Sequence, residues 1–310
     1  MILNRASKGI RFAPSPTGNF HVGNLRTAWI ASEIAKLLRE PLIIRFEDID
    51  GARVVKDAQA SQTADMAALG IIADHVELQS SRLHRHKALF DMALEEGRIY
   101  ACDCSRTEVR DALRGIASAP HTREPEYSGN CRALARNAVP DTPLSNKPID
   151  SIAWRWRHED ESGKYDSIVA RTEIRSGVFQ PGYHWACAVD DADGGYSLLI
   201  RAWDLAAAED TQARIRCWVK NLEGPFDATR VFHTSLVTQN DGHRLEKRTP
   251  NVTLKELSAL GLTSEKLLTL FRASFVMPSI DVLRGLDKIP SLLLGEAKHK
   301  ISLRELGIQV

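Results

Sequence analysis

The sequence predicts an α/β fold, a parallel sheet with helices on its faces, split by an inserted module and followed by a small helical region. Three observations predict it. Short β-like runs alternate with amphipathic segments through the first hundred residues, a βαβα order. Two clusters of chemistry-bearing residues, 14–24 and 47–50, stand at the carboxyl ends of those runs, where parallel sheets bind ligands. From Ile99 the composition turns to Pro, Arg, Ser, Asn and Asp with weak periodicity, as an insertion would.

The first strand is expected over about Ile10–Ala13, an apolar run interrupted by Arg11. Residues 14–24, PSPTGNFHVGN, then combine two prolines, two glycines and His21 ahead of the amphipathic Leu25–Leu38. This reads as strand, tight turn, helix. Such a turn gathers backbone N–H groups and the positive end of a helix dipole at one spot, which suits a phosphate. His21 stands to donate from the side, and Gly18 and Gly23 keep the approach clear. The plain structural alternative is a turn with Asn24 as helix cap.

Helix one is expected over Gly23–Arg39, ended by Pro41, and Leu42–Phe46 is a strand closed by the acidic Glu47-Asp48-Ile49-Asp50. Helices follow over Lys56–Leu69 and Leu83–Glu96, stopped by Gly70 and Gly97. Strands return from Ser167, with Trp185–Val189 and Tyr196–Ile200 the clearest. Thr211–Asn221 reads as helix, Val231–Leu236 as strand, and Thr238–Arg248 as a polar loop. Leu254–Leu306 is helical by pattern, broken by Pro278 and Pro290. The expected division is 1–98 and 185–237 for the two halves of the sheet domain, 99–184 for the insertion, and 238–310 for the loop and helical region.

With 41 basic and 40 acidic side chains in 310 residues the chain has no global positive field, so nucleic-acid contact must come from local patches. No apolar run approaches the roughly 18 residues of a membrane span, and the N-terminus lacks the apolar core of a secretory signal. No membrane partner is expected. Five cysteines form no disulfide framework, which fits a reduced, cytoplasmic setting.

Three of those cysteines lie close in sequence: Cys102 and Cys104 in YACDC, and Cys131 in YSGNC. They suggest a metal site, since zinc prefers four ligands with thiolates common. His121 and Tyr127 are both candidates for the fourth ligand, and ordinary loop thiols are the alternative. Cys187 and Cys217 are expected to be buried apolar residues.

RFAPSPTG followed by HVGN resembles the first signature of class I aminoacyl-tRNA synthetases, in the form of the glutamyl and glutaminyl branch. That resemblance implies a Rossmann-like catalytic domain and ATP, with Mg²⁺, against His21, Gly23 and Asn24. It implies an amino-acid pocket from Arg11, Phe12, Ala13, Pro14 and Ser15, from Glu47 of the Arg45-Phe46-Glu47-Asp48 run, from Tyr183 of YHWA and from Arg201 of RAWDL. Glu47 would pair with the ammonium of L-glutamate, and Arg11 and Arg201 would read its carboxylates, which an Arg fork binds bidentately. The run at 242–248, GHRLEKR, resembles the mobile second signature. Lys247 matches its important lysine and would act with His21 on the phosphates. Glu246 departs from the usual serine, Ala202 replaces the glycine of the usual R-G-x-D-L, and Trp203 puts one of the largest side chains at its variable position.

The C-x-C followed by Tyr-x-x-x-Cys is similar to the short paralogues of glutamyl-tRNA synthetase, the glutamyl-queuosine tRNA(Asp) synthetases. This implies one structural Zn²⁺ on Cys102, Cys104, Tyr127 and Cys131, and a helical, stem-contact-like C-terminal domain. The chain ends at Val310, before an anticodon-binding region. The implied activity is tRNA-independent activation of glutamate with ATP, then transfer to the queuosine base of tRNA(Asp). A truncated glutamyl-tRNA synthetase, a non-catalytic tRNA-binding paralogue and a different α/β nucleotidyltransferase are the alternatives.

Overall fold

The computed structural model describes residues 9–104, 127, 129, 131–133, 150–160, 163–221, 229–245, 249–284 and 298–309. The chain forms two compact units. One takes residues up to Gln79, Gly194–Ala206 and Ala228 onward; the other takes Ser80–Asp193 and Ala207–Asp227.

The first unit is built on β1 (Ile10–Phe12), β2 (Leu42–Phe46), β3 (His75–Leu78), β8 (Leu198–Ala202) and β9 (Arg230–Thr234). These form a parallel sheet in the order β3-β2-β1-β8-β9. The runs LIIRF and RVFHT are rich in the β-branched and aromatic residues that fit a pleated, buried surface. Helix α1 (Val22–Leu38) is largely buried, with Leu25, Trp29, Ile30 and Ile34 on the main core. It ends at Arg39, whose backbone is left-handed at φ 55° and donates back to Ala35 and Lys36. Pro41 then prevents its continuation.

Helices α6 (Leu254–Ala259), α7 (Ser264–Ala273) and α8 (Ile280–Arg284) belong to this unit, as does α2 (Ala58–Ala68). Trp29 packs on Phe271 and Phe275 with ring centroids 5.9 and 6.3 Å apart. Arg26 reaches Ser274 through Nε to Oγ and through Nη2 to the carbonyl, both at 2.9 Å, satisfying the end of α7. Burial of each such large side chain is worth about 1.5–3 kcal/mol, so α7 is held to α1 by packing rather than by helix propensity.

The second unit carries an antiparallel sheet of β4 (Ile99–Cys102), β5 (Ser151–Trp156), β6 (Ile168–Glu173) and β7 (Phe179–Pro181), in that order. Helices α3 (Leu83–Glu95), α4 (Tyr183–Gly194) and α5 (Glu209–Val219) supply Leu89, Phe90, Trp185 and Ile215 to its core. Phe90 meets Trp154 and Trp185 edge-on at 5.4 and 6.2 Å.

Several elements differ from expectation. Trp185–Val189 is helix, not strand. A short apolar run has no decisive period, but Ala186, Ala188 and Ala192 favour helix and are poor in strands. The 184/185 boundary drawn from composition falls inside α4. The C-terminal stretch is not all helical: β11 (Lys300–Ser302) pairs in parallel with β10 (Leu236–Thr238). A three-residue strand has no periodicity to read and exists only through its partner. Strands β3, β4 and β5 were not expected from the sequence. Among the described residues no helix is long and apolar enough to cross a membrane.

Candidate functional site

Register and the two-residue period decide what the parallel sheet presents. Arg11 lies opposite Ile43 and Leu199, and Leu199 lies opposite Val231. Ile43, Leu199 and Val231 form a small apolar cluster with Tyr196 on the face away from the main core. Two residues further along each strand, on that same face, come Arg45, Arg201 and His233. Because the strands are parallel, all of these stand at one edge of the sheet, its carboxyl end.

Arg11, Arg45, Arg201 and His233 are all buried. Glu47 follows β2 directly. Its N–H donates to the Pro14 carbonyl at 2.9 Å, tying the end of β2 to the turn after β1. Arg45 Nη2 lies 3.3 Å from Glu47 Oε1. Arg201 Nε donates to His233 Nε2 at 3.0 Å. Burial, and then the Arg201 charge, push the His233 imidazole down to about 2, so it accepts as a neutral ring. Three buried guanidiniums and one adjacent carboxylate thus gather at this end of the sheet. Such a surface suits a ligand with two carboxylates and one ammonium.

The turn after β1 carries Phe12, Ala13, Pro14 and Ser15, with Phe12 and Pro14 buried and Ser15 exposed. Gln62 of α2 holds it: its buried Nε2 donates to the carbonyls of Ser15 and Gly18 at 3.2 and 2.7 Å. Gly18 sits at φ 136°, which favours glycine. His21, not Asn24, is the N-cap of α1. Its Nδ1 accepts from the Asn24 N–H and the Asn24 side chain accepts from the His21 N–H, both at 3.3 Å. Accepting at Nδ1 puts the ring proton on Nε2, the donor needed to meet a phosphate. A Cβ on Gly23 would stand 3.0 Å from His21 Nδ1 and 3.1 Å from Val237 Cβ, so this glycine lets the imidazole pack over the helix start. His21 also bridges to Thr253, and the Val22 N–H donates to Val252 at 2.8 Å.

Glu246 and Lys247 lie outside the described residues, as does His121. The chain just before them is anchored. Leu245 is buried in the main core, and Arg244 pairs with Asp204 at 2.7 Å. Tyr183 opens α4 in the second unit, more than a third exposed, with its ring against His184.

The second unit also holds the thiol cluster. The sulfurs of Cys102, Cys104 and Cys131 lie within 4.8 Å of one another and could hold a metal ion. Cys104 and Cys131 are 3.5 Å apart, and Tyr127 Oη is 3.5 Å from Cys102 and 3.9 Å from Cys104. Tetrahedral zinc with thiolates at about 2.3 Å would need sulfurs about 3.8 Å apart, so the donors fit. Charge fits as well. Hydrogen bonds from Cys104 and Cys131 pull the Cys102 thiol far down, helped by Arg155. Cys104 and Cys131 are pushed up chiefly by their bonding to that thiolate, and Tyr127 by burial. Crowding of the thiols thus opposes their joint ionisation, which a multivalent cation would favour. Arg155 lies 3.6 Å over the Tyr127 ring and donates to Cys102 Sγ at 3.2 Å, offsetting part of the negative charge. Cys187 and Cys217 are buried within helices.

Arg45, His233, Gln62 and Arg155 are site-supporting residues that sequence reading passed over. Arg45 stood in a quoted run. The other three carry no local signal, because their partners lie 32 to 53 positions away or on another element.

Residues 9–281 match the family model for the catalytic domain of class I tRNA synthetases (E and Q). A glutamyl-Q tRNA(Asp) synthetase of Nocardia farcinica is 35% identical over 86% of this chain and 85% of its own length. One from Deinococcus radiodurans is 35% identical over 77% and 79%. A glutamate–tRNA ligase of Legionella pneumophila is 32% identical over 83% of this chain but 54% of its own length. A crystal structure of glutamate-tRNA synthetase from Elizabethkingia anophelis shares the fold with a TM-score of 0.65 at 19% identity, over 97% of this chain and 69% of that one. The chain belongs to the class I tRNA synthetases for glutamate and glutamine, a family of ligases.

Proposed function

We propose that this class I synthetase activates L-glutamate with ATP without tRNA and passes the glutamyl group to the queuosine base of tRNA(Asp). The observation that carries the amino-acid half is the positive, buried carboxyl edge of the sheet: Arg11, Arg45 and Arg201 on one face, with Glu47 at the end of the neighbouring strand. Arg11 and Arg201 bind the carboxylates, and Glu47 takes the ammonium. The acceptor half is supported by the names of the Nocardia and Deinococcus relatives and by the share of their length that this chain spans.

The α-carboxylate oxygen attacks the α-phosphorus of ATP. The P–O bond to the β-phosphate breaks in line and pyrophosphate leaves; Mg²⁺ accompanying the ATP would offset phosphate charge. His21 donates from Nε2 to the phosphates, beside Gly23 and Asn24 at the N-terminus of α1, where the helix dipole favours anions. Lys247 adds positive charge as the leaving group develops. Cys102, Cys104 and Cys131, with Tyr127 as fourth donor, hold one structural Zn²⁺, which would bring folding energy to the inserted module. A cytoplasmic site of action follows from this substrate set.

The test is glutamate-dependent exchange of pyrophosphate into ATP without tRNA, followed by labelling of tRNA(Asp) with and without queuosine. Exchange specific to glutamate, with labelling that requires the modified base, is expected. Exchange with another amino acid would overturn the pocket. Labelling at a 3′ end would assign a truncated glutamyl-tRNA synthetase, and tRNA binding without exchange a non-catalytic paralogue.

A further inference from the structure

We propose that His233 is a positioning residue for the amino-acid site: by accepting from Arg201 Nε it sets the plane in which that guanidinium meets a carboxylate. The inference rests on the reading of Arg201 as a carboxylate-binding residue. Arg201 and His233 are register partners on β8 and β9, both buried, with Nε and Nε2 3.0 Å apart. A guanidinium is planar, so engaging Nε fixes the direction of the Nη donors.

The imidazole is itself held by shape. Accepting at Nε2 leaves the ring proton on Nδ1, which is buried and without a hydrogen-bond partner among the described residues. A buried N–H in that state costs stability, so folding alone does not favour a histidine here. Trp203 supplies the wall. Its ring stands edge-on to His233 at 5.7 Å and 80°, and its face carries His299 in a parallel stack at 3.9 Å and 8°. The unusual tryptophan of RAWDL thus backs the histidine that orients Arg201.

Steady-state exchange kinetics separate this from a merely structural role. His233→Leu should raise the KM for glutamate roughly tenfold or more, the loss of a hydrogen bond to a charged group, with the KM for ATP within about twofold. His233→Gln, whose amide oxygen can accept from Nε, should return the glutamate KM to within about threefold. Trp203→Ala should give a smaller rise in the same constant. Should H233L not fold, His233→Asn is read against H233Q, being polar but too short to reach Nε. An unchanged glutamate KM in H233L, or equal rises for glutamate and ATP without rescue by glutamine, overturns the proposal. Arg201→Gln distinguishes the failures: if it too leaves the glutamate KM unchanged, the pocket reading falls, and if it alone raises it, only the role of His233 falls.

Discussion

In the parallel-sheet unit three buried arginines, Arg11, Arg45 and Arg201, share a face at the strand ends, with Glu47 beside Arg45 and the neutral His233 beside Arg201. In the antiparallel-sheet unit three ion pairs each have a buried member, Asp190, Asp166 and Arg216. Arg82 meets Asp190 at 2.6 Å, Arg132 meets Asp166 at 2.7 Å, and Arg216 meets Glu209 at 2.6 Å. The thiol cluster of that unit instead crowds acids together, with Arg155 facing them. The difference separates framework from site. Groups of one kind gathered at one spot, arginines in one unit and thiols in the other, mark candidate sites, for an acidic ligand and for a cation.

Four experiments would break or sharpen that contrast. The largest effect should come from the thiols. Cys131→Ser, or a strong chelator, should remove one equivalent of zinc and destabilise the antiparallel unit by up to about 10 kcal/mol, read by metal analysis and thermal melting. Unchanged melting with no metal lost would make the cluster ordinary buried thiols. Next, His21→Asn keeps a capping oxygen for α1 but loses Nε2. Exchange should fall about 100- to 1,000-fold with the melting temperature nearly unchanged. A stability loss without a rate loss would return His21 to a purely capping role.

Thr253→Ala removes a capping box in which Thr253 Oγ1 accepts from Glu256 N at 3.3 Å and the Glu256 carboxylate accepts from Thr253 N at 3.0 Å. The expected cost is about 1 kcal/mol, measured by denaturant unfolding. The smallest effect is acid sensitivity of the paired network. Burial would raise Asp193, but Arg85 and Arg82 more than offset it and hold the carboxyl below its usual range; Asp210 is lowered in the same way by Arg214 and His158. With folded values depressed, their stabilisation is complete above the ordinary 3.8 and is lost as pH falls below it. Each pair is partly exposed and worth at most about 1 kcal/mol. Stability that instead fell between pH 8 and 5 would implicate histidines.

Helices α1 and α3 and strand β2 fall within a residue or two of where their periodicity puts them, because a capping box opens α1, Gly97 follows α3 and Pro41 precedes β2. Strand β3 escaped because HVEL is a mostly exposed edge with no clear alternation, and α4 was misread because five apolar residues carry no period.

Motif and composition by themselves determined the α/β class, the turn at 14–24 before a helix and the C-x-C with Tyr-x-x-x-Cys, since each depends on residues close along the chain. Only the tertiary structure decided that Arg45 and His233 join Arg11 and Arg201, and that Arg155 faces the thiols. Those relations pass through strand register and side-chain packing between segments far apart in sequence, where no local propensity can act.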